Sequence, residues 1–277
     1  MIGVKRAIIP AAGLGTRMRP VSLVIPKELL PVGTRPMIQF AVEEAIEAQI
    51  SEIAIVLNKR KELIRAYFEQ LAEQEPFAGV RFYYYYQEEA NGLADAIDHC
   101  RDLVEGSPFA VLLPDNVILS ENYRFSSMVG LYAQHGRDVI GVIELGQNES
   151  GLYGNAGRID YEMKDSDVLE IHKLYDKEMG ALIVSQRKKV LRTCGRYVCH
   201  SDLFQYMDKV RPHISGEFDE VPVYQEIIRQ RGAMGYLIRE ALFDTGNPRG
   251  YLSASAHLAA HLKEGSSVSS VGKGGGQ

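Results

Sequence analysis

The sequence predicts an α/β fold in which helices cover both faces of a doubly wound, mostly parallel mixed sheet of the Rossmann-like type. Short apolar and β-branched runs alternate with stretches of helical composition, and this alternation indicates βαβ units. The first apolar run, residues 7–9, leads into a turn of small residues between Ala11 and Gly15. Ligands of doubly wound sheets bind outside the carboxyl ends of the strands, so this turn is predicted to face a ligand.

The individual elements follow from run length and composition. Strands are predicted at short apolar runs rich in Val, Ile and Tyr: residues 7–9, 53–57, 80–86, 110–113, 139–144, 195–199 and 234–238. Helices are predicted at residues 37–48, 61–71, 93–100, 123–134, 201–210, 224–230 and 251–262. The Ser/Gly-rich residues 265–277 are expected to form a flexible tail.

Composition narrows the class of protein. The 277 residues suffice for one large domain or two small ones. A net charge of −5 argues against general nucleic-acid binding, which usually requires a basic surplus. The three cysteines lack C-x-x-C spacing, so neither a disulfide framework nor a zinc site is expected. No apolar run reaches the ~18 residues of a membrane span, and no signal peptide is visible. We therefore expect a cytoplasmic protein with no membrane and no nucleic acid among its partners.

The turn after the first strand has the composition of a phosphate site. A glycine-rich turn leaves backbone N–H groups accessible to anions, and Arg17 and Lys27 add fixed positive charge close by. Two better-known glycine loops are excluded. The dinucleotide fingerprint requires glycine where the chain has Met18, and the P-loop requires a Gly-Lys pair that is absent. These features favour a nucleoside triphosphate site over an ordinary turn.

Two aspartates are candidate metal ligands. Asp115 directly follows the predicted strand 110–113, at the end of a strand where Mg²⁺ ligands are common. Asp244 begins the sequence Asp-Thr-Gly-Asn-Pro. Taken alone, each aspartate is also consistent with a turn.

The N-terminal motifs resemble those of a known family. The segments AGLGTRMRP and IPKELLPV are similar to the signature G-x-G-T-R-x-x-P followed by P-K-x-x-x-P of the sugar-1-phosphate nucleotidyltransferases. Shorter similarities continue to about residue 251. The resemblance implies a nucleotide-diphospho-sugar transferase fold and an enzyme that joins a nucleoside triphosphate to a sugar 1-phosphate, with release of pyrophosphate. UTP and glucose 1-phosphate are the substrates it favours, and Mg²⁺ is the cofactor it implies.

The resemblance also implies roles for particular residues. The catalytic residues would be Arg17, Lys27, Asp115 and Lys177, and the metal ligands would be Asp115 and Asp244. The nucleotide would contact Ala11, Ala12, Gly13, Gly15, Thr16, Arg17, Gln87 and Gly92. The sugar side would consist of Gly154, Lys177, Gly195 and Glu220.

Two of these assignments involve departures from the family motifs. Gln87 is expected to read a uracil or thymine ring by donating and accepting at once, but Asp95 stands where relatives carry His or Gln. Lys177 lies in the sequence Tyr-Asp-Lys-Glu rather than the family's L-x-E-K-P, so Lys173 is an alternative for the sugar phosphate.

Alternative functions follow from the same motifs. The segment GLADA is similar to thymidylyltransferases that use dTTP, and the altered motifs would also suit a catalytically weak regulator that binds nucleotide sugars. We expect a single nucleotidyltransferase domain over residues 1–264, with a nucleotide-binding part at about 1–135 and a sugar-binding part at about 136–264. A homodimer or homotetramer is typical of the resemblance.

Overall fold

The centre of the fold is built from strands that are apolar on both faces. Strand β4 (Glu52–Leu57) reads EIAIVL, and every residue after the glutamate is buried. Such a run is typical of a parallel strand covered by helices on both sides. Strand β4 pairs in parallel with β1 (Arg6–Pro10) and with β5 (Arg81–Tyr86). Strand β1 also pairs in parallel with β6 (Phe109–Leu112), so it lies in the interior of the sheet, and its carboxyl end leads into the glycine-rich turn.

The computed structural model describes residues 3–120, 122–145, 157–177 and 190–267, without the side chains of 261–267. The remaining strands are β2 (Pro31–Val32), β3 (Arg35–Pro36), β7 (Asn116–Ile118), β8 (Val139–Leu145), β9 (Ile159–Met163), β10 (Val168–Leu174), β11 (Val190–Cys199), β12 (Ala233–Leu237) and β13 (Leu242–Asp244). The helices are α1 (Met37–Glu47), α2 (Glu62–Leu71), α3 (Leu93–Asp98), α4 (Arg101–Val104), α5 (Ser126–His135), α6 (Leu203–Val210), α7 (Glu220–Arg231) and α8 (Pro248–Ser267).

A nine-stranded sheet joins the two halves of the chain, in the order β5-β4-β1-β6-β11-β8-β12-β10-β9. Within it only β10 and β11 run against the other strands. The sheet is thus mixed and mostly parallel, as predicted. Strand β1 lies between β4 and β6. From β1 the chain adds β4 and β5 on one side, and it then returns to place β6 on the other side. This reversal opens a crevice at the carboxyl end of β1, where doubly wound proteins bind their ligands.

Helices pack on both faces of the sheet, which confirms the doubly wound architecture. Alternate residues of β1 divide between two cores: Ala7 and Ile9 contact the face covered by α1, α2 and α5, whereas Ile8 contacts the face covered by α3, α4, α6 and α7. A third apolar cluster joins α8 to α1 and β7 through Ala254, Met37 and Val117. No helix of the described residues is long and apolar enough to cross a membrane.

Several elements differ from the sequence-based assignment. Strands β9 and β10 are absent from it because their exposed positions carry charged residues instead of an apolar run. Helix α7 begins at Glu220, four residues earlier than predicted, because Asp219 accepts a hydrogen bond from the Glu220 N–H and a proline is tolerated in the first turn. Helix α8 continues to Ser267, so residues 265–267 are helical, and the rest of the expected tail lies outside the described residues.

Candidate active site

The glycine-rich turn is held by side chains from the segment that follows β4. Asn58 donates to the carbonyl of Ala12 over 2.6 Å, and Lys61 donates to the carbonyls of Ala11 and Gly13 over 2.7 and 2.6 Å. These consecutive carbonyls are therefore committed to protein donors. Within the described residues, the N–H groups from Ala12 to Gly15 have no protein acceptor. The turn accordingly offers a row of unpaired donors to an anion.

A buried ion pair between Lys61 and Glu28 supports the glycine-rich turn. The Lys61 ammonium lies 2.9 and 2.8 Å from the two carboxylate oxygens of Glu28, and both side chains are almost fully buried. Burial lowers the pKa of Lys61, and the Glu28 carboxylate opposes that effect without cancelling it. Glu28 belongs to a short helical turn, Lys27–Leu29, which also carries Lys27 into the crevice. One ion pair thus connects the glycine-rich turn to the predicted catalytic lysine.

Lys27 and Asp115 meet at the entrance of the crevice. Their charged atoms lie 2.5 Å apart. Burial acts to lower the pKa of Lys27, but the carboxylates of Asp115 and Glu28 outweigh burial and raise it. Burial acts to raise the pKa of Asp115, but Lys27 and Arg17 outweigh burial and lower it. Both groups are therefore charged at neutral pH.

The two predicted metal ligands converge although 129 positions separate them in the numbering. Asp244 pairs with Asn116 in the β7–β13 ladder, and the backbone N–H of Thr245 donates to the Asp115 carbonyl over 2.7 Å. Oδ2 of Asp115 and Oδ1 of Asp244 lie 2.6 and 3.1 Å from one point, the position that a Cβ on Gly246 would occupy. Arg17 lies 3.6 Å from Asp244. The described residues contain no group of three or more acidic, His or Cys side chains around a metal position, so a cation here would need ligands from substrate or water.

The part of the crevice that is predicted to bind the base contains Gln87 and Gly92. Gln87 is buried, and its amide nitrogen donates to the Gly92 carbonyl over 3.1 Å and to the Asp95 carboxylate over 2.8 Å. Gly92 has a φ of 103°, and a Cβ there would lie 2.3 Å from the carbonyl oxygen of Phe218. Only glycine fits this approach between the start of α3 and the segment before α7. Because both hydrogens of the Gln87 amide are committed to these acceptors, the oxygen is the atom left to contact a base.

Lys177 lies on the opposite side, between two acidic residues. Its ammonium lies 2.7 Å from Asp219 and 2.8 Å from Glu220. Burial acts to lower the pKa of Lys177, but Glu220 and Asp219 outweigh burial and raise it. Burial raises the pKa of Glu220 to about 7, whereas hydrogen bonds and the Lys177 charge outweigh burial at Asp219 and lower its pKa to about 2.

Strand β11 positions the loop that carries Asp115. A bulge interrupts its pairing with β8 between Thr193 and Tyr197, and Gly195 in the bulge has a φ of 73°. The Gly195 carbonyl accepts from the N–H of Leu113, and a Cβ on Gly195 would lie 2.6 Å from the Leu113 side chain. No larger residue fits this contact.

The next residue, Arg196, is fully buried and contacts helix α1. Its guanidinium donates to both carboxylate oxygens of Glu44 over 2.7 and 2.8 Å. It also donates to the carbonyls of Leu113 and Asn116, over 2.8 and 2.6 Å. Arg196 therefore holds the backbone on both sides of Asp115.

These groups line two adjoining cavities. The larger one, of about 270 Å³, extends from the glycine-rich turn past Lys27 to Gln87 and Gly92. The smaller one, of about 130 Å³, is lined by Arg17, Gly195, Glu220 and Asp244, among others. Asp115 and Lys177 line both cavities. The site thus has two compartments with a shared wall.

The predicted site residues are distributed as follows. Ala12, Gly13, Lys27, Gln87, Gly92, Asp115 and Lys177 line the larger cavity, and Arg17, Asp115, Lys177, Gly195, Glu220 and Asp244 line the smaller one. Ala11, Gly15 and Thr16 belong to the same turn but line neither cavity. Lys173 is exposed on β10, with its ammonium 4.3 Å from the ring centre of Tyr175, and it lines neither cavity. The predicted Gly154 lies outside the described residues.

Three functional candidates are not among the residues selected from the sequence: Lys61, Arg196 and Asp95. Lys61 follows Lys59 and Arg60 in a run of cations that is ordinarily solvated. Arg196 follows Gly195 directly, and nothing in the local sequence distinguishes a buried arginine from an exposed one. The sequence identifies Asp95 only as a departure from the family motif in GLADA, and it assigns no role to that residue.

Comparisons with known proteins agree with this geometry. A family model described as nucleotidyl transferase matches residues 6–261. A UTP–glucose-1-phosphate uridylyltransferase of Staphylococcus saprophyticus is 31% identical over 273 residues, which is 92% of each chain. The enzyme of the same name from Staphylococcus epidermidis is 29% identical over the same shares. A UDP-glucose pyrophosphorylase solved with UDP-glucose has a TM-score of 0.81 and 28% identity, covering 93% of this chain and 99% of its own. The chain therefore belongs to the nucleotidyl transferase family.

Proposed function

We propose that this protein transfers the uridylyl group of UTP to glucose 1-phosphate, giving UDP-glucose and pyrophosphate. The observation that carries the proposal is the pair of adjoining cavities that share Asp115 and Lys177. A reaction between two phosphorylated substrates requires two compartments whose phosphate ends meet. The relatives named above supply the identity of the two substrates.

The reaction needs charge compensation more than it needs a base. An oxygen of the sugar phosphate forms a bond to the α-phosphorus, and the bond from that phosphorus to the bridging oxygen of pyrophosphate breaks. No proton has to move, because the nucleophile is already ionised. The obstacle is the approach of one polyanion to another, so alignment and positive charge are the main sources of rate.

The glycine-rich turn would bind the triphosphate through its unpaired N–H groups, with Arg17 beside the departing phosphates. Lys27 would offset charge at the α-phosphate, and its raised pKa keeps it protonated throughout the neutral range. Lys177 would hold the incoming sugar phosphate from the shared wall. Because Glu220 has a pKa of about 7, part of the population is protonated there at neutral pH, which limits the negative charge facing an anionic sugar.

Asp115 and Asp244 would hold a divalent cation, with Mg²⁺ the best fit. Two convergent carboxylate oxygens suit an ion that keeps several waters and prefers few protein ligands. When bound, the ion would supply additional positive charge to the phosphates. Lys27 also pairs with Asp115, so the lysine and the cation would share one carboxylate.

The organisation of the chain is part of the same proposal. We assign residues 1–264 to one catalytic domain, with nucleotide contacts mainly before residue 135 and sugar contacts mainly after it. A cytoplasmic location fits the three cysteines, all of which are free and buried. Assembly as a homodimer or homotetramer remains a prediction.

The test is pyrophosphate release from purified protein with Mg²⁺, glucose 1-phosphate and each nucleoside triphosphate in turn. We expect turnover with UTP. Loss of that turnover in Asp115→Asn, but not in Asp165→Asn at an exposed turn, would locate the activity in the crevice. Faster turnover with dTTP would instead identify a thymidylyltransferase. No turnover with any triphosphate, together with binding of a UDP-sugar, would identify a regulator.

A further inference from the structure

The carboxamide of Gln87 is oriented by its protein contacts. Its nitrogen faces two acceptors, the Gly92 carbonyl and the Asp95 carboxylate. Neither partner has a hydrogen to donate, so the group facing them has to be the NH₂ and not the oxygen. The oxygen of Gln87 receives no hydrogen bond from the described residues. Gln87 lines the larger cavity, and the oxygen is the atom it has left for a ligand.

Both carboxylate oxygens of Asp95 have protein partners. It is buried at the start of α3, and its Oδ1 accepts from the Arg211 guanidinium over 2.8 Å. Its Oδ2 accepts from Gln87, with His99 at 3.5 Å on the same oxygen. Arg211 also stacks over Phe218, with 5.0 Å to the ring centre. The carboxylate therefore keeps one oxygen for arginine and the other for glutamine.

We propose that Asp95 is a positioning residue that sets the base specificity of the site through Gln87. A carboxamide held this way can only accept a hydrogen bond, so it pairs with a ring that presents a donor. Uracil and thymine present N3–H, whereas N3 of cytosine is an acceptor. A cytosine in the same place would face the Gln87 oxygen with two acceptors opposed. The inference rests on the proposed function in assigning this end of the cavity to the base.

The test measures binding, so that it does not depend on turnover. UDP and CDP have the same size and charge and differ only at the edge of the base. We expect the intact protein to bind UDP more tightly than CDP in calorimetric titrations. In Asp95→Asn, Arg211 would retain the side-chain oxygen, and the new NH₂ would face the Gln87 nitrogen. Because the carboxamide then loses its fixed orientation, the ratio of the two affinities should fall about 10- to 100-fold.

A matched control is available on the same helix. Asp98 also pairs with Arg211, but it does not contact Gln87. Asp98→Asn should leave the affinity ratio unchanged. Gln87→Met retains the volume of the side chain and should lose the preference for UDP to the same extent as Asp95→Asn. In the Gln87→Met background, the Asp95 substitution should have no further effect on the ratio.

Three results would overturn the inference: equal binding of UDP and CDP by the intact protein, an unchanged ratio in Asp95→Asn, or a preference for UDP that survives Gln87→Met. If Asp95→Asn does not fold, as judged by circular dichroism, Asp95→Ala takes its place, because Arg211 keeps its contact with Asp98 and the same fall in the affinity ratio is expected. Failure of the proposed function is a separate outcome. A protein that distinguishes UDP from CDP in this way but releases no pyrophosphate would keep the role of Asp95 and lose the transferase activity.

Discussion

Replacing Lys61 by methionine tests whether the Lys61–Glu28 ion pair holds the glycine-rich turn in place. Methionine fills a similar volume, but it removes the donors to the carbonyls of Ala11 and Gly13 and the counter-ion of Glu28. The Glu28 side chain is only 2% exposed, so its charge would remain buried without a partner. Breaking a buried pair in this way costs about 3–5 kcal/mol of unfolding free energy.

The same substitution should also affect catalysis. With two carbonyls released, the N–H groups of the turn lose their fixed direction, and misplacement of phosphate contacts costs on the order of 10²-fold in kcat/KM for the triphosphate. Urea unfolding and initial rates at varied UTP concentration measure the two effects separately. Lys59→Met is the control, because that side chain is 74% exposed and pairs with Glu88 at the surface, where ion pairs contribute about 0–1 kcal/mol.

A second substitution separates charge from geometry. In Lys61→Met, the further change Glu28→Gln removes the unpaired charge and should recover part of the lost stability. It does not restore the donors to the turn, so kcat/KM should stay low. If Lys61→Met is as stable as Lys59→Met and has an unchanged kcat/KM, the turn does not depend on this ion pair.

Three further predictions concern the rest of the site. Asp115→Asn should lower kcat by about 10²–10³-fold and raise the Mg²⁺ concentration needed for half-maximal rate; an unchanged metal dependence would remove Asp115 from the cation site. Glu220→Gln tests the pKa of about 7. A carboxyl whose pKa is higher in the folded state than its unfolded value of 4.5 stabilises the fold at low pH, and this contribution is lost as the pH rises through 7. In urea unfolding, the free-energy advantage of the wild type over the variant should therefore be about 2–3 kcal/mol larger at pH 5 than at pH 8. Parallel stability profiles of the two proteins would contradict this. Arg196→Met should leave the largely buried Glu44 unpaired, cost about 3–5 kcal/mol in stability, and lower kcat through the Asp115 loop. A variant with normal kcat would show that this loop keeps its shape without the guanidinium.

The sequence predicted those parts of the site that depend on local backbone. The strand-to-turn transition at residue 10, the aspartate at the end of β6 and the turn at Asp244 are each recognisable within a few residues. The resemblance then brought Asp115 and Asp244 together, and the structure places them side by side. The same reasoning ranked Lys177 above Lys173, and only Lys177 lines the cavities.

The contacts that hold the site in place were not predictable in this way. Lys61 reaches Ala11 across 50 positions, and Arg196 reaches Glu44 across 152. Such pairs depend on which strands become neighbours, and local sequence patterns do not indicate that. The same limit applies to the direction of each strand in the sheet. An apolar run has the same pattern whether its strand is parallel to its neighbours or antiparallel to them, as β11 is.

The bulge in β11 has a consequence for changing the sugar that the site accepts. Gly195 and Thr193 line the smaller cavity, yet Gly195 also contacts Leu113 and is followed by the arginine that holds the Asp115 loop. A library that enlarges or reshapes the cavity at Gly195 would therefore disturb the proposed cation ligand Asp115 along with the proposed sugar pocket, and most of its members should be inactive on every substrate. Thr193 lies before the bulge and does not contact that loop through any hydrogen bond of the described residues. Variation at Thr193 is the better route to a catalyst with altered sugar preference.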